Sequence, residues 1–290
     1  MKVLGVDIGG TSVKIGAFNE EGESMETGEF ATDSHLGAEK ALENIKYQIS
    51  RFEPFDAIGI CSAGQIDPVH GVILTSVNIP GWEHIPIKEM LEEAFNVPVA
   101  IQNDVNAAAL GENTFGVGQK YNDFLFLTYG TGVGGAIVID SALYGGHEEF
   151  AGEFGHMITH AFGRACNCGM QGCYERYAST TALLQDAQKV NPAFTDGKVL
   201  FEHWHQGDAT AKEIVENWVE EIAIGLINVV HTFNPSTIIV GGGVMEQSVL
   251  IDMIQKRVDQ QIMNPFRSVT IIQASLGNTA GMLGGVALHV

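Results

Sequence analysis

Three of the four cysteines in the chain lie in one short segment, ten residues after a histidine. Three thiolates and one imidazole form the ligand set of a closed, tetrahedral structural zinc site. The alternatives are a disulfide, or cysteines that serve as small buried hydrophobic residues. The chain begins at Met1 without an apolar signal segment, so we expect a cytoplasmic protein, in which such a cluster favours metal over disulfides. The sequence therefore predicts a Zn²⁺ ion bound by His156, Cys166, Cys168 and Cys173.

Two carboxylates flank this cluster, Glu153 before it and Glu175 just after its last cysteine. They are not needed as metal ligands, because three cysteines and one histidine already fill four positions. They are better suited to accept hydrogen bonds from a polyhydroxylated molecule bound beside the metal. The segment thus predicts a sugar-like ligand.

The composition describes a globular protein with a strong excess of negative charge. The chain has 290 residues, of which 45% are hydrophobic, and 15 Lys+Arg against 35 Asp+Glu give a net charge of -20. This length allows two domains. The charge argues against a broad nucleic-acid-binding face, and no apolar run of ~18 residues suggests a membrane span. An anionic ligand must therefore be held by backbone donors, a metal and a few cations.

The hydrophobic pattern alternates short strands with helices, which predicts an α/β protein with mixed sheets. We expect strands over 3–7, 13–18, 57–61, 98–102, 124–129, 136–139, 238–240 and 269–274, and helices over 38–52, 87–95, 105–112, 174–189, 210–233 and 280–289. The apolar stripe of the long helix is predicted to contain Ile214, Trp218, Ile222, Leu226 and Val229.

Two segments, 4–18 and 125–139, share the order strand, glycine-rich turn, strand. This repeat predicts two related halves with a boundary near 116–120 and a ligand in the cleft between them. We expect a small N-terminal lobe over 1–118, closed by a terminal helix at about 277–290. A larger lobe over 119–276 then carries the zinc segment.

The two glycine-rich turns are candidate phosphate sites, because backbone N–H groups there can converge on an oxygen. In the first turn, Gly9, Gly10 and Thr11 offer donors and Lys14 offers a charge. Asp7 would repel a phosphate unless Mg²⁺, held through waters, lies between them. A plain hairpin is the alternative for either turn alone, but two turns at matching positions favour a nucleotide.

Asn103 and Asp104 follow a strand and open a helix, so either an N-cap or a general base for phosphoryl transfer is expected there. Ser62, Gly64 and Asn78 lie in loops that offer sugar contacts, although turn chemistry also accounts for them. Glycines 241–243 follow a strand, as they would where the backbone approaches an adenine or ribose closely.

These residues together resemble a ROK-family bacterial sugar kinase, a family named for repressors, open reading frames and kinases. The pattern E-x-G-H is found at Glu153, Gly155 and His156, and C-x-C-G-x-x-G-C-x-E runs from Cys166 to Glu175. The resemblance covers essentially the whole chain. It implies the two-lobed actin-like (ribonuclease H-like) fold with mixed sheets and a ligand cleft between the lobes.

The resemblance also implies a role for each candidate residue. Asp104 would be the catalytic base, and Asn103, Glu153, His156 and Glu175 would hold the sugar hydroxyls. The loop residues Ser62, Gly64 and Asn78 complete the predicted sugar-binding set. His156 would use one ring nitrogen for zinc and the other for the sugar. The nucleotide-binding set is Val6, Asp7, Gly9, Gly10, Thr11, Lys14, Gly130, Thr131, Gly132, Gly134, Gly241, Gly242 and Gly243. ATP, Mg²⁺, structural Zn²⁺ and a homodimer are implied as well.

The acceptor sugar is the least determined feature. The segments 78–82 and 128–132 are similar to those of the β-glucoside kinases, which act on cellobiose-like disaccharides, so 6-phosphorylation of a β-glucoside is expected. A glucokinase and an N-acetylhexosamine kinase are the alternatives. A sugar-sensing regulator is an alternative of another class. A sensor would need no base at Asp104, and we expect no DNA-binding segment before Asp7.

Overall fold

A computed structural model describes residues 1–76 and 79–290 of the chain. Its strands are β1 Val3–Ile8, β2 Ser12–Phe18, β3 Ser24–Ala31, β4 Ala57–Ser62, β5 Gln65–Asp67, β6 Val72–Thr75, β7 Glu83–Ile85, β8 Val99–Asn103, β9 Phe124–Tyr129, β10 Val133–Ile139, β11 Ala142–Leu143, β12 Thr237–Gly241 and β13 Thr270–Gln273. Its α-helices are α1 Ala38–Ser50, α2 Ile87–Phe95, α3 Asp104–Phe115, α4 Glu175–Ala178, α5 Thr180–Val190, α6 Gly197–His205, α7 Ala209–Phe233, α8 Ser248–Gln261 and α9 Ala280–Ala287. Across the described ranges, no helix has the length and apolar character needed to cross a bilayer.

The strands form two five-stranded sheets and one small three-stranded sheet. The first has the order β3-β2-β1-β4-β8, in which β1 pairs antiparallel with β2 and parallel with β4. The second has the order β11-β10-β9-β12-β13, in which β12 is parallel to both of its neighbours. The third sheet, β5-β6-β7, is antiparallel. The predicted α/β class with mixed sheets is thus confirmed.

The two large sheets have the same strand order relative to the chain. In each, three consecutive strands lie side by side, and two later strands join the edge formed by the first of the three. The glycine-rich turns occupy equivalent places, between β1 and β2 and between β9 and β10. The repeat recognised in the sequence therefore corresponds to a repeated sheet topology.

The chain divides into two compact units. One comprises Met1–Asn122, Ile137–Ala151 and Asn278–Val290, and the other comprises Asp123–Ala136 and Gly152–Gly277. The first unit contains a hydrophobic core in which the β1–β2–β4 sheet packs with α1 and α2, and Trp82 is fully buried within it. In the second unit, all five predicted stripe residues of α7 are buried.

The terminal helix α9 lies very close to the backbone of its neighbours in the first unit. A Cβ atom on Gly284 would lie 1.8 Å from the carbonyl oxygen of Ala107 in α3. A Cβ on Gly59 of β4 would lie 1.8 Å from the carbonyl oxygen of Gly285. Real Cβ contacts are never this short, so only glycine permits this packing. Helix α9 is thereby fixed against β4 and against α3, the helix that begins with Asp104.

The helix predicted over 174–189 is in fact two helices. Ser179 has ψ 159° and its hydroxyl accepts a hydrogen bond from the Ala182 N–H, so it ends α4 and caps α5. A serine within an apolar periodic pattern carries this capping capacity, but the periodicity alone did not reveal the break. Strand β3, the three-stranded sheet, and helices α6 and α8 were not predicted either. The three strands of the small sheet have at most four residues each, too short for a clear alternation.

Candidate active site

The carboxyl ends of three parallel strands in the first unit bring several predicted site residues together. Asp7 pairs in register with Cys61, and Ser62 pairs with Asn103, so the ends of β1, β4 and β8 meet at one edge of the sheet. Ligands of α/β proteins commonly bind outside the carboxyl ends of such strands. Asp104 follows directly as the first residue of α3.

Asn103, not Asp104, caps helix α3. The Asn103 Oδ1 accepts hydrogen bonds from the backbone N–H groups of Val105 at 2.9 Å and Asn106 at 3.3 Å. Its Nδ2 donates to the Gly64 carbonyl at 3.1 Å, which ties the helix start to the loop after β4. The capping function considered for this pair of residues therefore belongs to Asn103. Asp104 is the first residue of the helix, and its Oδ1 accepts from the same Val105 N–H at 3.0 Å.

The environment of Asp104 is unfavourable for a charged carboxylate. Burial raises its pKa above the ordinary value for an aspartate, and the neighbouring Asp7 carboxylate raises it further. Burial also raises the pKa of Asp7, against the opposing effects of the Cys61 thiol and Lys14. Two half-buried carboxylates with a nearby lysine provide a suitable setting for a divalent cation, which would stabilise both charges. The donor set at this edge thus fits Mg²⁺.

Part of the first glycine-rich turn is used to close the turn itself. The Gly9 N–H donates to the Ser12 carbonyl at 3.0 Å, and the Thr32 hydroxyl donates to the Gly9 carbonyl at 2.6 Å. Among the described residues, the N–H groups of Gly10 and Thr11 have no protein acceptor. The donors available to a phosphate are therefore those of Gly10 and Thr11, and Gly9 shapes the turn.

The second turn has the same organisation. The Gly130 N–H donates to the Gly132 carbonyl at 3.0 Å, and the Gly130 carbonyl accepts from the Thr180 N–H at 2.9 Å. Thr131 and Gly132 follow in the turn, and Gly134 lies within β10. In both turns the first glycine is bonded internally, and the next two residues form the exposed part of the loop.

Glycines 241–243 follow β12 in the second unit. Gly242 has φ +102°, and a Cβ atom there would lie 2.2 Å from the carbonyl oxygen of Tyr129 at the end of β9. The close backbone approach predicted at this site is thus made to a neighbouring strand. A Cβ on Gly243 would meet no atom within 4 Å, so this is the open position of the three.

The four predicted zinc ligands converge in the second unit. The ligand atoms of His156, Cys166, Cys168 and Cys173 all lie within 4.8 Å of one another. The Sγ atoms of Cys168 and Cys173 are 3.5 Å apart, and Cys166 Sγ is 3.8 Å from His156 Nδ1. A zinc tetrahedron with ordinary Zn–S and Zn–N bonds has edges of roughly 3.6–3.8 Å. The residues therefore fit a structural zinc ion.

The cysteines are free thiols, so the disulfide alternative is not supported. The 3.5 Å separation of Cys168 and Cys173 is well beyond the ~2.05 Å of an S–S bond. Burial raises the pKa of Cys166 to about 12, which disfavours the thiolate in the absence of a cation. Zinc would supply the compensating positive charge and displace the thiol protons.

His156 presents its two ring nitrogens to different partners. Nδ1 faces the thiol cluster, whereas Nε2 lies 3.8 Å from the Glu153 Oε2. This part of the chain lies directly on β10, since a Cβ on Gly155 would be 2.0 Å from the Val133 carbonyl oxygen. The glycine of the E-x-G-H pattern thus lets the segment carrying Glu153 and His156 pack on the strand.

Glu175 is held by the packing of α4 on α7. The Tyr174 hydroxyl donates to the Ile222 carbonyl at 2.8 Å, and the Trp218 Nε1 donates to the Ala178 carbonyl at 2.9 Å. These two buried hydrogen bonds fix both ends of α4. The Glu175 Oε1 lies 3.1 Å from Cys166 Sγ, so its carboxylate is positioned beside the cluster of predicted zinc ligands.

Some predicted residues are placed where their side chains have structural partners. Val6 is fully buried in β1, and Ser62 is 1% exposed with its hydroxyl directed to the Ala63 carbonyl. Asn78 lies outside the described residues. Sequence reasoning missed Cys61, which lies beside Asp7, and no local signal distinguished this buried thiol from an ordinary core residue.

Comparison with known proteins identifies the family. The sequence profile described as "ROK family" matches residues 3–290. The chain is 32% identical to a glucokinase from Thermotoga maritima, covering 99% of this chain and 97% of that protein. It is 29% identical to a beta-glucoside kinase from Klebsiella pneumoniae, covering 99% and 95%.

A solved structure agrees in both sequence and fold. The crystal structure of a ROK family glucokinase from Streptomyces griseus, in complex with glucose and AMPPNP, superposes with a TM-score of 0.87. The two chains are 34% identical, and the match covers 99% of each. The predicted actin-like sugar kinase fold class and the family resemblance are thereby confirmed. The chain belongs to the ROK family.

Proposed function

We propose that this ROK-family sugar kinase transfers the terminal phosphoryl group of ATP to the 6-hydroxyl of a glucose-type sugar, and that its acceptor is a β-glucoside such as cellobiose. Kinase activity is in line with the glucokinase and beta-glucoside kinase relatives. Use of ATP is supported by the AMPPNP in the similar Streptomyces griseus structure.

The observation that carries the proposal is the position of Asp104. It follows Asn103, which performs the capping, and its pKa is raised by burial and by Asp7. A carboxylate with a raised pKa is a stronger base, suited to accept the proton of an attacking hydroxyl. Asp104 is therefore assigned the role of catalytic base.

Sugar contacts are assigned to Glu153, His156 and Glu175, and also to Asn103 and the backbone near Gly64. The zinc cluster organises the segment that carries the first three, because Glu175 and His156 both contact the Cys166 thiol. The zinc is thus structural.

The nucleotide phosphates are assigned to the open donors of the two glycine-rich turns, Gly10 with Thr11 and Thr131 with Gly132. Asp7, with Lys14 opposite it in the β1–β2 pair, would hold Mg²⁺ through waters. When bound, the metal would neutralise charge on the transferred phosphoryl group. The adenosine is assigned to the segment 241–243, where Gly243 is unobstructed.

The base assignment is tested with Asp104→Asn and the matched control Asp33→Asn. Asp33 is exposed in the same unit, and its φ of 52° suits asparagine, so the control removes the same charge without a structural cost. We expect Asp104→Asn to lower kcat by roughly 10²–10⁴-fold. Its sugar affinity in calorimetry should remain within a few-fold. Normal turnover by Asp104→Asn would refute the mechanism.

The acceptor is tested by comparing kcat/KM for glucose, cellobiose and N-acetylglucosamine in a coupled ADP-release assay. If Asp104 faces the 6-hydroxyl and the anomeric substituent points to solvent, cellobiose should be used at least as well as glucose. A strong preference for glucose with no disaccharide turnover would make the protein a glucokinase. The homodimer implied by the resemblance is tested separately by sedimentation velocity.

A further inference from the structure

Three helices of the second unit enclose a partly open groove that contains none of the residues assigned to sugar or nucleotide. Its cavity volume is about 600 Å³. Trp204 from α6, Lys212 and Glu216 from α7, and Met253, Lys256 and Arg257 from α8 contribute to its lining. The groove therefore combines an aromatic ring with cationic side chains from two different helices.

The groove reverses the sign of the charge found over the chain as a whole. Three cationic side chains line it against the single carboxylate of Glu216, in a protein of net charge -20 with only 15 Lys+Arg. The Arg257 Nε is paired with Glu220 at 3.0 Å. Within residues 1–76 and 79–290, Lys212 and Lys256 form no ion pair. Two lysines without an ion pair in the lining of one groove favour an anion there.

The remaining lining favours an organic anion over a simple inorganic one. The ring of Trp204 is half-buried, and it meets the Phe201 ring edge-on with centroids 5.7 Å apart, which fixes its orientation. Met253 adds apolar surface to the same groove. A planar ring of this kind supports a sugar ring or a nucleobase, and lysine ammonium groups bind phosphate as point charges.

We propose that this groove binds a small phosphate monoester. The phosphate contacts Lys212 and Lys256, and the carbon skeleton packs on Trp204. Phosphorylated sugars and nucleoside monophosphates share this chemistry. The site is separate from the residues assigned to phosphoryl transfer, so the inference does not depend on the proposed acceptor.

The test is calorimetric titration of the full-length protein with glucose 6-phosphate, AMP and inorganic phosphate. Glucose and a non-hydrolysable ATP analogue are present throughout at saturating concentration, so that the kinase site is occupied. We expect about one equivalent of glucose 6-phosphate or AMP to bind, and inorganic phosphate to bind more weakly because it lacks the contact with Trp204. Whichever ester binds more tightly identifies the source of the ligand.

Lys212→Gln and Lys256→Gln should each weaken ester binding by roughly tenfold, since each removes one charge-assisted hydrogen bond. Lys198→Gln, which removes the same charge from α6 outside the groove, should leave binding unchanged. All three variants should retain kcat and thermal stability, which confirms that they fold. Trp204→Leu should weaken ester binding but leave phosphate binding unaffected.

The proposal is overturned if no probe binds at millimolar concentration. It is overturned equally if a double variant, Lys212→Gln/Lys256→Gln, binds the ester as tightly as the unmodified protein. Inorganic phosphate that binds as tightly as both esters would also refute a monoester site.

Discussion

Replacing Gly132 by alanine should displace the Glu175 carboxylate while leaving the fold intact. A Cβ atom at residue 132 would lie 2.5 Å from Glu175 Oε2, whereas ordinary contact begins at 3.4 Å, so the carboxylate must retreat by about 0.9 Å. Gly132 has no left-handed φ, and therefore the backbone accepts alanine. Since a 1 Å misplacement costs up to about 10²-fold, we expect kcat/KM for the sugar to fall roughly 10- to 100-fold.

The matched control lies two residues earlier in the same turn. A Cβ on Gly130 would meet no atom within 4 Å, and Gly130 also lacks a left-handed φ. Gly130→Ala should therefore keep kcat/KM within about threefold, and both variants should unfold within a few degrees of the unmodified protein, because Gly→Ala changes stability by only about 0.4–1 kcal/mol at compatible sites.

Initial rates over a range of sugar concentrations, measured at saturating ATP, provide the assay. The double variant Gly132→Ala/Glu175→Ala tests the cause. If the alanine acts through Glu175, it should cost nothing further once that carboxylate is absent, and the two substitutions should be strongly non-additive. Equal activity of Gly132→Ala and Gly130→Ala, or additive losses in the double variant, would refute the reasoning.

Three further outcomes are expected. Asp104→Asn should raise the melting temperature at neutral pH, because burial raises the pKa of Asp104 and its ionised form therefore costs stability. This gain should vanish as the pH falls below the unfolded-state aspartate pKa of about 3.9. A variant less stable than the unmodified protein at neutral pH would contradict this. Gly284→Ala should lower the free energy of unfolding by about 3 kcal/mol in denaturant titration, because its Cβ would overlap a backbone carbonyl. The control Gly197→Ala, whose Cβ would meet no atom within 4 Å, should leave the free energy of unfolding unchanged. Metal analysis should find about one zinc per chain, and Cys168→Ser should lose it together with sugar affinity and thermal stability; a zinc-free, fully active preparation would rule this out.

Much of the fold could be predicted from the sequence because the signals are local. The strands around Asp7 and the stripe of α7 that includes Trp218 follow from periodicity, which is a property of neighbouring residues. The break at Ser179 was missed because the apolar pattern continues across it. The small sheet β5-β6-β7 was missed because its strands are too short for a period to be recognised.

The candidate site divides in the same way. The four predicted zinc ligands lie within 156–173, so their types and spacing sufficed to predict the cluster that the structure brings together. The sequence left open whether the pair Asn103–Asp104 caps a helix or serves as a base. The hydrogen bonds that Asn103 accepts from Val105 and Asn106 assign the cap to that residue, and its separate bond to the Gly64 carbonyl joins the helix start to a loop 39 positions away in the chain.

The sequence by itself determined the residue types, most of the local elements and the cluster of three cysteines and one histidine, because each depends on residues close together in the chain. Only the tertiary structure decided the raised pKa of Asp104 beside Asp7, the glycine contacts of α9 and the groove formed by Trp204, Lys212 and Lys256. Each of these arises between residues far apart in sequence. Burial, steric overlap and the proximity of charges depend on distances in space. A short stretch of sequence does not specify those distances.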